Sequence, residues 1–68
     1  MYVVEFDFIA SNRPSQMMTA TEKSLKALLR RLCGEYPIVE YSATDAEEYY
    51  LFSTPRGLLA LTVSPKPD

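Results

Sequence analysis

The chain has no histidine, no tryptophan and a single cysteine in 68 residues. Each absence excludes something. Without histidine, the usual general base at neutral pH is missing. So is the usual nitrogen ligand of zinc, copper or non-haem iron. Cys33 has no partner in the chain, so no internal disulfide can form. A secreted domain of this size is normally dense in cysteine, which makes a lone Cys33 the mark of a reducing compartment. The two glycines, Gly34 and Gly57, stand apart and match no phosphate-binding loop. No stretch approaches the ~20 apolar residues of a membrane span. Glu5 and Asp7 interrupt the apolar run of residues 1–10, so no signal peptide is read there. The expectation is a cytoplasmic protein, of a bacterial host, that is not an enzyme and carries no metal and no cofactor.

What is present suits a folded domain. Hydrophobic residues make up 47% and aromatics 12%, well away from the disordered class. A core this small leaves about 3–5 kcal/mol of net stability, and without disulfide or metal staples it must rest on apolar packing, with self-association as a further source. Residues 1–63 read as one α+β domain and residues 64–68, with Pro65 and Pro67, as a flexible C-terminal tail.

Tyr2 to Ala10 alternates, with Tyr2, Val4, Phe6 and Phe8 on one face and Val3, Glu5, Asp7 and Ile9 on the other. That is the period of a half-buried strand. Ser11 to Gln16 has loop chemistry around Pro14. Thr19 to Glu22 has the form of a capping box, with Thr19 as N-cap. A helix is expected from there to about Cys33, with Leu25, Leu28, Leu29 and Leu32 on one face and Gly34 as its stop. Pro37 suits the start of a strand or an edge. Strands then follow over Ile38 to Ala43, Glu47 to Ser53 and Leu58 to Val63. Thr44 to Ala46 is a turn, and Thr54-Pro55-Arg56-Gly57 a hairpin. Thr44 to Glu47 also fits a capping box, but the aromatic run that follows favours a strand. The layout is β-α-β-β-β, one helix on one face of a four-stranded mixed or antiparallel sheet.

Several groupings could carry chemistry. Glu5 and Asp7 point the same way on a strand, roughly 6.6 Å apart. That spacing falls in the range of inverting glycosidase carboxylates, yet any solvated strand face produces it. Cys33 is expected at a helix C-terminus, the negative end of the dipole, which is a poor setting for a reactive nucleophile; beside the leucine stripe it reads as core filler. Lys23, Lys26, Arg30 and Arg31 form a basic helix stripe, with four bases against Glu22 within residues 22–31. Arg30 and Arg31 there complement the helix dipole, and the stripe is a weaker candidate surface for an acidic partner.

The stronger candidate is the sheet face that a single helix leaves uncovered. If Val39 and Tyr41 point at the helix, Ile38 and Glu40 join Val3, Glu5, Asp7, Ile9 and Leu58 on that face. The third strand adds either Tyr49 and Leu51 or Tyr50 and Phe52. Exposed apolar patches mark interfaces, and tyrosine is enriched in binding hot spots. Direct nucleic-acid binding is disfavoured by the net charge of −2 and by the acids on the same face.

The layout resembles half of a ferredoxin-like or RNA-recognition domain, without the second helix and without a ribonucleoprotein motif. In format, the chain is similar to the small acidic, cysteine-poor inhibitors of phages and other mobile elements, such as anti-CRISPR proteins and host RNA-polymerase inhibitors. That resemblance implies a non-enzymatic protein-binding module that occludes a host nucleic-acid machine, its partner a protein or nucleoprotein complex. The alternative is a small accessory or structural subunit of a bacterial complex, homodimeric through the open sheet face.

Overall fold

The computed structural model describes residues 1–10 and 12–67. Its elements are β1 (Tyr2–Phe8), β2 (Gln16–Ala20), α1 (Glu22–Glu35), β3 (Ile38–Ala43), β4 (Glu48–Thr54) and β5 (Gly57–Pro65). All strand pairs are antiparallel, in the order β2-β1-β5-β4-β3. The class is α+β with one helix, as the sequence reads, but the sheet has five strands rather than four and the order is β-β-α-β-β-β.

The added strand is β2. It pairs with β1 from Tyr2↔Ala20 to Phe6↔Gln16, so the segment after Pro14 returns as a hairpin instead of leading into the helix. Its sequence, Gln-Met-Met-Thr-Ala, has no alternation to reveal it. The expected cap moves accordingly. Thr21, not Thr19, is the N-cap: its backbone is extended at φ −72° and ψ 165°, and its Oγ1 accepts from the Ser24 backbone N–H at 3.2 Å. That satisfies one of the orphan donors of the first turn.

The helix also runs past Gly34. It ends at Tyr36, which is extended at φ −129° and ψ 139°. Pro37 supplies the reason, because a proline pushes the residue before it out of the helical region. The final strand extends through Ser64 and Pro65, which pair with Val3 and Tyr2. The Lys66 N–H then donates to the Met1 carbonyl at 2.9 Å. The tail expected from residue 64 is thus part of the sheet as far as Pro65, and Asp68 lies outside the described residues.

The two predicted turns form with side-chain help. Thr44 Oγ1 accepts from the Ala46 and Glu47 N–H groups, the bonding of a capping box used to close the β3–β4 loop instead of starting a helix. In the β4–β5 hairpin, Thr54 pairs with Gly57, whose φ of +116° favours glycine. Thr54 Oγ1 accepts from the Arg56 N–H and donates to the Gly57 carbonyl.

The core lies between α1 and one face of the sheet. Val4, Phe52 and Leu61 are fully buried, and Leu25, Leu59, Val63 and Ala20 join them. Leu28, Leu29 and Leu32 are half-buried against the same cluster. Since β2 and β3 are opposite edges, the helix between them must cross the sheet. It enters beside Tyr2, the partner of Ala20, and leaves beside Phe52, the partner of Ile38. A helix about 10 Å wide cannot cover five strands spaced ~4.8 Å apart. Two corners of this face therefore stay open.

Candidate functional site

Pair register fixes which side chains share the open face, because directly opposed residues of antiparallel strands point the same way. Starting from Glu5, one row runs Met17, Glu5, Thr62, Tyr49 and Ser42 across all five strands. The neighbouring row runs Asp7, Ala60, Leu51 and Glu40 across four. Val3 sits between Thr19 and Ser64, and Leu58 opposite Ser53. Val3, Glu5, Asp7, Glu40 and Leu58 are thus together on this face. The open choice on the third strand resolves as Tyr49 and Leu51, while Tyr50 and Phe52 turn to the helix.

Two expected members fall elsewhere. Ile38 stands opposite Phe52, on the helix side. A bulge between Ile38 and Glu40 inserts Val39 as an extra residue, and one extra residue reverses every face assignment behind it. Ile9 lies just past β1. Its N–H still donates to the Leu58 carbonyl at 3.0 Å. Its side chain lines a shallow notch of about 460 Å³ with Phe8, Ala10, Arg13 and Arg56 at the end of the sheet.

The face combines three acids with apolar and hydroxyl side chains. Among the described strand residues on it there is no base. Leu51 is only 7% exposed and Ala60 is buried, although no helix covers them. Neither belongs to the helix-side core. Their strand neighbours cover them, so this face has a small packed centre of its own with a polar and acidic surround. Met17 and Thr19 were missed at the sequence level because β2 was missed. Their signal is faint: eight consecutive uncharged residues, Pro14 to Thr21, between a turn and a helix.

The opposite surface is basic. Lys23, Lys26, Arg30 and Arg31 are all exposed on α1. Lys26 pairs with Glu22 at 3.5 Å, as the i,i+4 spacing implies, and Arg31 with Glu35 at 4.0 Å. Such exposed pairs contribute little to stability. Cys33 is exposed rather than part of the core. It follows Leu25 by eight residues, which puts it about 80° round the helix from Leu25 and on the flank of the stripe.

At one open corner of the helix side, a groove of about 320 Å³ has Tyr2, Leu25, Leu29 and Val63 in its floor and Asp45, Glu47 and Glu48 at its rim. Beside it, Tyr50 donates from its hydroxyl to Glu48 Oε2 at 2.6 Å. Burial of the ring, then this bond and the neighbouring carboxylate charge, hold the Tyr50 hydroxyl protonated well above its ordinary range. Tyr50 also packs on Tyr41 at 5.0 Å and on Phe52 at 6.1 Å.

Among the described residues, no three histidine, cysteine, aspartate or glutamate side chains converge as metal ligands. Among the same residues no helix is long and apolar enough to cross a membrane. Comparison with protein-family models, with curated proteins and with solved structures gives no match to this chain.

Proposed function

We propose that this chain is a non-enzymatic protein-binding module that presents its open sheet face to a basic surface of its target. The small phage-type inhibitors that it resembles in format are the kind of protein this reading places it among, and a nucleic-acid machine is the kind of target. Such machines carry lysine- and arginine-lined channels for phosphate backbones. A face with three carboxylates and no base is complementary to such a channel, and its apolar centre adds contact area that a nucleic acid would not provide.

The observation that carries the reading is the composition of that one face. Glu5, Asp7 and Glu40 surround a centre of Leu51, Ala60 and Tyr49, with Leu58 exposed at the rim. Complementary charge across an interface raises the association rate and excludes wrong partners. It also weighs against the accessory-subunit alternative in its original form. Two copies stacked through this face would set three acids against three.

The test is quantitative affinity capture from the native host with the wild type, a Glu5→Lys/Asp7→Lys variant and a Lys23→Glu/Arg30→Glu variant. The expected result is one protein or nucleoprotein complex retained by the wild type and the helix variant, released by salt, and lost from the sheet variant. Equal retention by the two variants, or loss confined to the helix variant, overturns the assignment to this face.

A further inference from the structure

The two edges of the sheet differ in how they are protected. At β3, Pro37 precedes the strand, a bulge interrupts it at Val39, and Glu40 adds a charge. These are the devices that keep exposed edges from pairing with other chains. β2 has none of them: no proline, no bulge and no charge from Gln16 to Ala20.

The backbone groups that β2 leaves free can be identified. Ile9 donates to Leu58, and the Met1 carbonyl accepts from Lys66, so the odd-numbered residues of β1 turn their backbone toward β5. Hydrogen-bonded pairs alternate along an antiparallel ladder. The even-numbered residues of β1 therefore bond to β2, where their partners are Gln16, Met18 and Ala20. The N–H and C=O groups of Met17 and Thr19 are left pointing outward.

We infer that β2 is a self-pairing edge, along which a second copy of this chain adds antiparallel about a twofold axis at Met18. In that register Met17 of each copy stands opposite Thr19 of the other, and both outward residues exchange N–H···O bonds. Met18 meets its own symmetry mate on the helix side. Met17 and Met18 are 64% and 44% exposed in the single chain. All five strand residues find a partner only in this register, since a shift to Met17 or Thr19 as centre leaves two unmatched. Charge favours the same arrangement. The seam brings only uncharged residues together, whereas face-to-face stacking opposes Glu5, Asp7 and Glu40 with their copies. Edge pairing leaves the acidic faces side by side in one ten-stranded sheet, free for a target. The inference does not depend on the proposed function.

A five-residue seam is smaller than a standard interface, so the dimer should be concentration-dependent. Sedimentation equilibrium of the full chain over a wide concentration range is expected to show mass rising from 7.7 kDa toward twice that value. Thr19→Pro removes an outward donor without touching the β1 ladder and should weaken the dimer at least tenfold while circular dichroism stays unchanged. Amide exchange gives a second measure that needs no variant. Met17 and Thr19 should gain protection as concentration rises, while Met18, bonded within the monomer, should not. A wild type that stays at 7.7 kDa, a folded Thr19→Pro with wild-type mass, or amides of Met17 and Thr19 that exchange alike at all concentrations overturns the inference. Loss of the dimer in Leu58→Lys but not in Thr19→Pro also overturns it, in favour of the face.

Discussion

The same strands build both faces of this sheet, but the two faces are packed by different means. On the helix side, Val4, Phe52 and Leu61 are wholly enclosed because α1 lays four leucines across them. On the open side no second layer exists. Leu51 nevertheless reaches a similar degree of burial among Glu40, Ala60, Tyr49 and its other neighbours. Burial alone therefore does not identify the core of a small α+β domain. A side chain locked under a helix is held by tertiary packing, whereas one enclosed by adjacent strands is held by flexible neighbours that can close over a gap.

Adjacent residues make that contrast measurable. Phe52→Ala removes a fully enclosed ring from the helix side and should cost about 3–5 kcal/mol. For a domain with about 3–5 kcal/mol of net stability, that approaches complete unfolding. Leu51→Ala, one residue along and facing the other way, should cost nearer the lower limit of such truncations, about 2 kcal/mol. Paired urea denaturation curves decide the matter. Equal losses would show that the open face is packed as rigidly as the helix side.

A smaller effect is expected at the open corner where Tyr50 donates to Glu48. Tyr50→Phe should cost about 1 kcal/mol, since the bond is partly exposed. The pH dependence has a definite sign. The folded chain holds this hydroxyl protonated above the range of the unfolded chain. Its contribution is therefore fully present below the unfolded tyrosine pKa of about 10 and is lost as pH rises beyond that toward the folded value. Thermal melts of wild type and Tyr50→Phe between pH 8 and 11 should show the wild type losing stability more steeply at the alkaline end. Parallel profiles would mean that the corner does not retain the proton.

The smallest effect on stability belongs to the rim of the open face. Leu58→Lys should change unfolding free energy by no more than about 0.5 kcal/mol, because Leu58 is exposed and supports no helix contact. If that face binds the target, the same substitution should abolish capture. A large loss of stability would place Leu58 among the structural residues, and unchanged capture would leave the face without a role for it.

Legibility along the chain followed the strength of local signals. The alternation of Tyr2 to Phe8, the leucine stripe of α1 and the turn at Thr54-Pro55-Arg56-Gly57 are patterns of period and turn chemistry, and each names its element directly. β2 has neither period nor turn residues of its own. Two adjacent methionines fit any backbone, and the strand exists because β1 offers a free edge to which the chain returns. The exposure of Cys33 is not legible locally for a related reason. It lies on the flank of the stripe, where the width of the sheet beneath decides burial.

The sequence by itself determined the class of the molecule, its single helix, four of its strands and the shared face of Tyr2, Val4, Phe6 and Phe8. Those follow from side-chain periodicity, backbone preferences and the composition of 68 residues that must bury apolar surface to fold. Only the tertiary structure decided the fifth strand, the all-antiparallel order and the membership of the open face. The physical reason is register. A bulge at Val39 adds one residue without any change of composition, and that single step moved Ile38 from the acidic face to the helix side. Which of Tyr49 and Tyr50 lies on the open face, and which backbone groups β2 holds out at the edge, follow from strand pairing that no local pattern encodes.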